Sequence, residues 1–436
     1  MNRLFSNFDL RVLKIAIPLI ISNITIPLVG FVDNVMMGYL GSVVYIGAIG
    51  VGSIIISYIL LSFGFIKSIT TGFVSQNTGA QDFTELFKSI YQILLISLAI
   101  STTIILFRDQ IIDLALSFVS SSSEVIANSK IYLEIRIWSI PAIFIRDILI
   151  GYYIGTQRTV LAMSVSIFIN ILNIILDIIF IYYLKYSIEG VAIASIIAEY
   201  SVLIFVVFAY LKEENITRIN IKSLFNGKSF LQKISVNLDM FLRSLILMTC
   251  LSYFIISSAG YGDIILAANA ILLNFFLIFS HGMDGFAHAS EVLVGDAVGK
   301  KKKNYLINSI ASTGKFSFLF LMIYLILFIM LSSNIIQFIS DVDELKFTVE
   351  KYIVWLYGIF IVSTVAFWLD GVFIGFLKTR LLRNVMIVSG SLFFLLIFSF
   401  SYSANHLLWL SMIIFFLSRS FLLSISLVIT LRKQLI

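Results

Sequence analysis

Residues 15–66 read IAIPLIISNITIPLVGFVDNVMMGYLGSVVYIGAIGVGSIIISYILLSFGFI, fifty-two residues with a single formal charge, Asp33. A helix climbs about 1.5 Å per residue and a bilayer core is about 30 Å thick, so about twenty apolar residues cross it. The stretch therefore holds two crossings. Runs of this kind recur along all 436 residues, of which 60% are hydrophobic and 12% charged. A soluble domain carries about 25% charged residues. Only three prolines occur, so long helices run almost uninterrupted. The alternation over about ten residues that marks a membrane β-barrel is not seen. The chain reads as an all-α polytopic membrane protein.

Spans are predicted at 12–38, 46–70, 88–107, 132–156, 159–184, 187–211, 234–258, 264–294, 306–331, 352–377, 382–402 and 406–430. The long polar linker 212–233 bisects them, leaving an N-lobe at 1–211 and a C-lobe at 234–436. The first apolar segment is too long for a cleavable signal peptide and is expected to stay as the first span. With both termini and the even-numbered connections on one side, that side holds nineteen basic residues and the other five, Arg108, Lys130, Lys185, Lys346 and Lys351. The positive-inside rule then puts both termini and the linker in the cytoplasm of a plasma (inner) membrane protein. The net charge of +6 sits between spans, so it reads as a topology signal and not as a nucleic-acid surface. Cys250 is the single cysteine; it excludes a disulfide framework and is expected to pack in the core.

The two halves match at one offset of 220 residues. Gly79 meets Gly299, Gly151 and Gly155 meet Gly371 and Gly375, Ala48 meets Ala268, and Ser89-Ile90 meets Ser309-Ile310. Six spans per half make both halves start on the same side, a parallel repeat about an axis along the membrane normal. Such a repeat places the substrate near the midplane between halves.

The chemistry is carried by acids set in apolar helices. An ionised carboxylate at the bilayer centre costs at least about 2.5–3.5 kcal/mol, so it marks an ion or substrate path. Asp33 follows Pro18 and Pro27, which bend a helix and free carbonyls. The run 159–184 carries one charge, Asp177, four residues after Asn173, so the two share a helix face. Ser195 on the sixth span is a further oxygen ligand. This hard-oxygen set suits Na⁺, or a proton on a carboxyl whose affinity burial has raised. The bland alternative is that Asp33 pairs with an arginine for assembly only. On span eight, His281, Asp284, His288 and Glu291 fall within about an 80° arc at 100° per residue and are expected to line a polar cavity with Arg243 and Asp370. The alternative for Glu291 is an interfacial position. Two histidines seven apart are poorly spaced for one zinc ion. Lys67, Arg136, Arg146, Arg243, Lys315 and Arg419 read as counter-charges or snorkelling groups. No G-x-S-x-G, H-E-x-x-H or Walker loop occurs. An enzyme is not expected, nor any organic cofactor, and without an ATP-binding segment transport must run on a gradient.

Several stretches resemble the multidrug and toxic compound extrusion (MATE) transporters of the DinF-like branch. They are Ile17-Pro18-Leu19-Ile20-Ile21-Ser22-Asn23-Ile24-Thr25 through Asp33 and Gly38; Thr70-Thr71-Gly72 with Gln76 and Gly79-Ala80; and Asn173-Ile174-Ile175-Leu176-Asp177. In the second half they are Ala267-Ala268-Asn269-Ala270, Asp284-Gly285-Phe286-Ala287 with Glu291, and Asp370 through Gly375. The resemblance implies twelve helices in two pseudo-symmetric six-helix lobes. It implies export of amphipathic, often cationic compounds in exchange for H⁺ or Na⁺, with Asp33, Asn173, Asp177 and Ser195 as the coupling-ion site and a monomer in the lipid bilayer. Two departures stand out: Asn237-Leu238-Asp239 where the branch shows N-R-D, and His288 where an aromatic is common. The alternative within the superfamily is a flippase for lipid-linked sugar or peptidoglycan precursors, which would want clustered arginines facing its cavity. At the repeat offset Asp33 falls on Tyr253 and Asp177 on Ile397, so the two halves are expected to do different jobs.

Overall fold

The computed structural model describes residues 6–39, 43–212, 224–225, 227–339, 341–399 and 405–435. Within these, the side chains of residues 7, 26–31, 33–35, 37–39, 43, 210, 434 and 435 lie outside the description. Helices account for the secondary structure of the described residues. The first, α1, is Asn7–Tyr39. Eleven more are long and apolar enough to cross a membrane: α2 Val44–Ala80, α3 Phe83–Leu106, α4 Ser123–Gly155, α5 Thr159–Tyr183, α6 Ile188–Ala209, α7 Gly227–Ala259, α8 Asp263–Lys300, α9 Lys303–Ile339, α10 Asp343–Gly375, α11 Thr379–Ser399 and α12 Asn405–Lys433. Each of the twelve predicted spans falls on one of them. A short polar helix, Arg108–Ser117, follows α3. The end of the predicted linker is helical, because α7 starts at Gly227.

The repeat is written into the backbone. Helices α2 and α8 end at Ala80 and Lys300, α4 and α10 at Gly155 and Gly375, and α5 and α11 begin at Thr159 and Thr379, each pair 220 residues apart. The left-handed residues pair in the same way: Gln81 (φ 60°) with Lys301 (φ 54°), and Gln157 (φ 63°) with Leu377 (φ 56°). So do the closest helix contacts. A Cβ at Gly151 would lie 2.6 Å from Lys67 O, and one at Gly155 3.0 Å from Thr71 O, both on α2. In the second half a Cβ at Gly371 would collide with Ala287 O, and one at Gly375 would lie 2.8 Å from Glu291 O, both on α8. Small residues at this spacing let two backbones touch, which is how helices gain packing energy in lipid.

The chain forms two compact units, one of Ile21–Asn237 and the other of Met1–Ile20 with Leu238–Ile436. In the first, the start of α7 belongs with α2 and α3. Ser229 Oγ donates to Gln92 Oε1 at 3.2 Å, Lys233 pairs with Glu85 at 3.4 Å, and its ammonium sits 4.2 Å from the Phe73 ring centre. In the second, the start of α1 belongs with α8 and α9. Asp9 accepts from Ser312 at 2.5 Å and pairs with Lys315 at 2.9 Å, and Arg11 pairs with Asp296 at 3.3 Å. Asp9 and Ser229, like Gln92 and Ser312, are repeat equivalents. The second unit is built around aromatic contacts such as Phe254–Trp409 (4.8 Å) and Phe279–Phe360 (4.7 Å). Cys250 is buried there, in the core as expected. Asn269 ties that core together. It exchanges amide hydrogen bonds with Asn405 (2.6 and 3.1 Å), accepts from Trp409 Nε1 at 2.9 Å and donates to Ser258 at 2.7 Å. Buried amides in lipid need such partners, and satisfied ones join helices.

Candidate functional site

In the first unit, Asn173 and Asp177 of α5 are 4% and 0% exposed, and Ser195 of α6 is 5% exposed. Asn173 Nδ2 donates to Ser195 Oγ at 3.2 Å. Asn173 Oδ1 is buried and accepts no hydrogen bond among the described residues. A buried carbonyl oxygen costs free energy until a donor or cation answers it. Directly after Asp177 the helix widens into a π-helix, Ile178–Tyr183; such insertions gather at functional positions. One turn before Asn173, Asn170 Nδ2 donates to Thr25 Oγ1 at 2.7 Å. That bond joins α5 to α1, the helix that carries Asp33. The side chain of Asp33 lies outside the described residues. Of the four predicted members, Asn173 and Ser195 touch, and Asp177 follows one turn along the same face.

Two acids that the sequence reading passed over lie in the same unit. Arg146 of α4 donates to Glu199 Oε1 of α6 at 2.6 Å and to Asp147 Oδ1 at 3.3 Å. One cation thus meets two carboxylates, and Glu199 Oε2, also buried, accepts no hydrogen bond among the described residues. A signal for it was present: Glu199 lies inside a predicted span, four residues after Ser195 and so on its face.

In the second unit the remaining candidates divide. Arg243 and Arg419 both donate to Asp370 Oδ2, at 2.5 and 2.6 Å. Arg419 is 1% exposed, so it is a counter-charge and does not snorkel. His288 Nδ1 lies 2.9 Å from Glu291 Oε2, both buried. His281 and Asp284 are 3.9 Å apart and stay part-exposed. The shared arc on α8 holds, but burial separates the outer pair from the inner one. At the departure from the family pattern, Asp239 accepts from Arg383 at 2.5 Å and Thr379 at 3.1 Å. Among the described residues no three His, Cys, Asp or Glu side chains group as a metal site.

Twelve apolar helices built from a duplicated half, with single acids buried inside them, are the architecture of a membrane transporter. The MatE family model matches residues 18–179 and 240–403, one stretch in each half. The chain belongs to this MATE family of multi-pass transporters, and it is not an enzyme. It is 32% identical to DNA damage-inducible protein F of Escherichia coli (strain K12), over 93% of this chain and 89% of that protein. It is 27% identical to multidrug and toxin extrusion protein 1 of Danio rerio, over 66% of this chain and 49% of that one. A solved MOP superfamily transporter from Pyrococcus furiosus superposes with a TM-score of 0.86 at 15% identity, covering 98% of this chain and 97% of that one. That likeness shows the twelve-helix fold.

Proposed function

We propose that this protein exports amphipathic, cationic small molecules by alternating access, in exchange for a proton or Na⁺ taken up at Asp33, Asn173, Asp177 and Ser195. The observation that carries the reading is Asp177, fully buried in an apolar helix beside the Asn173–Ser195 pair. Asp33 lies eight residues beyond Thr25, and Asp177 seven beyond Asn170. Both helices are odd-numbered spans and run the same way. At 1.5 Å per residue these climbs are about 12 and 10.5 Å, so the two sequence positions lie at similar distances along their helices from the Thr25–Asn170 bond. Two carboxylates brought together by the protein share a proton or a cation far more readily than either carries its charge in hydrocarbon unaided. Loading the pair removes net negative charge and with it the attraction for a cationic cargo; unloading restores it. Both termini face the cytoplasm in this reading, and the protein works as a monomer in lipid. The flippase alternative, which would want Arg136, Arg146 and Arg243 facing the cavity, fares worse, because Arg146 and Arg243 are engaged by carboxylates within their own units and Arg136 donates to Ser139.

Proteoliposomes test this. A pH gradient and a Na⁺ gradient, imposed one at a time, are each checked for uptake of a fluorescent lipophilic cation. One of them drives uptake by the wild type, and Asp33→Asn and Asp177→Asn each lose it. Undiminished gradient-driven uptake in both variants overturns the reading.

A further inference from the structure

The turn from α8 to α9 carries four successive lysines. Lys300 pairs with Asp296 at 2.8 Å. The next three, Lys301, Lys302 and Lys303, line a cavity of about 290 Å³ whose apolar wall includes Leu306, Ile307 and Leu431. No carboxylate is among its lining residues. Leu431 is followed by the exposed Arg432 and Lys433. Just before it, Thr430 accepts from Lys378 Nζ at 2.8 Å. Burial and the positive charge of Lys433 hold the Lys378 ammonium below its usual pKa, a sign that cations crowd at this end of the unit.

The duplication supplies an internal comparison. The same turn in the first half reads Gln81-Asp82-Phe83, with the same left-handed residue at its head. There Asp82 Oδ1 accepts from Glu85 N at 2.9 Å and caps α3. The second half has Lys302 in that place, and an ammonium accepts nothing. A built-in carboxylate has been exchanged for three cations around a hollow. Charge that served topology alone would need neither the hollow nor its apolar wall. On the same face of α9 as the cavity, Ile307 is exposed and, beyond the Lys315–Asp9 pair, so is an apolar stripe of Phe318, Met322 and Ile326. Basic pockets at the ends of membrane helices suit lipid phosphates.

We infer that this cavity seats the phosphodiester headgroup of an anionic phospholipid, whose acyl chain lies along the stripe of α9. The inference needs the membrane-embedded fold and is independent of the coupling site.

Native mass spectrometry of the full-length protein tests it, by titrating phosphatidylglycerol, phosphatidylcholine with the same chains, or inorganic phosphate. The wild type retains phosphatidylglycerol at least about tenfold better than phosphatidylcholine, and millimolar phosphate does not displace it. The triple variant Lys301→Gln/Lys302→Gln/Lys303→Gln loses the preference. Lys302→Asp, which restores the first half's capping residue, keeps the fold and weakens the preference. A control, Lys212→Gln/Lys228→Gln, leaves it intact. Equal retention of the two lipids by the wild type, a preference that survives both lysine variants, or displacement by free phosphate would each overturn the inference.

Discussion

At the scale of single residues, this protein turns on how each buried charge is answered. Asp370 receives two guanidiniums. Removing one partner from a buried ionic group costs about 3–5 kcal/mol, whereas apolar replacement of the whole group is often neutral. Asp370→Asn is therefore expected to lower the midpoint of thermal unfolding in detergent sharply, and Arg243→Met/Asp370→Leu/Arg419→Met to recover most of the loss. Recovery no better than in the single variant would show that the triad does more than balance charge. Asp9, ahead of the first predicted span, is a different case. Burial alone would raise its carboxyl, but Ser312, Lys315 and the Ser6 amide donate to it and bring it from 3.8 down to about 2. A depressed carboxylate stabilises the fold above its unfolded pKa and stops doing so as pH falls through the folded one. This contribution is complete above about pH 4 and drains away between there and about 2. Asp9→Asn should melt earlier than the wild type at pH 7 and show a shallower acid decline, read by thermal unfolding across pH.

At the scale of helices, the glycines of α4 and α10 set the closest approaches. Gly151→Ala and Gly371→Ala each push a methyl group onto a backbone carbonyl, and overpacking of this kind costs about 1–3 kcal/mol. Thermal unfolding should show both variants destabilised, with Gly371→Ala at least as much, since its added carbon meets the backbone more closely. These glycines were legible in advance, because a repeat of small residues survives in sequence at a fixed offset. All twelve helices were legible for the same kind of reason: hydrophobic length is a property of one segment. The π-helix after Asp177 was not, nor was the bond from Asn170 to Thr25. Both depend on which neighbour a helix face meets, and neither a hydropathy run nor an apolar period records that. Glu199 was missed differently. It stood in plain view inside a span, but its meaning came only from Arg146, fifty-three residues away in sequence and 2.6 Å away in space.

At the scale of the whole molecule, the halves share a backbone and differ in chemistry. At the same repeat position the first half places Glu199 and the second Arg419. The first unit pairs one arginine with two acids, and the second two arginines with one acid. Under the proposed function, gradient-driven transport fails on neutralising Asp33 or Asp177 and persists on neutralising Glu291, with transport followed against protein amount. Equal loss from Glu291→Gln would argue against a division of labour. Orientation can be read with one engineered thiol. In a Cys250→Ser background, Lys433→Cys should react with an impermeant maleimide only after the cytoplasmic face is opened.

The exchange of helix starts between the two units bears on how the chain is made. Asp9 leaves the ribosome early, but its partner Ser312 is 303 residues behind it. At about 5–20 residues per second that is a wait of about 15–60 s. The first unit, for its part, is incomplete until the opening turns of α7 have been synthesised. The first bundle cannot close on its own six spans but waits for the opening turns of α7, whereas the second closes last, onto a start of α1 that was synthesised at the outset; maturation is expected in two successive steps, the first of them delayed into the second half of synthesis.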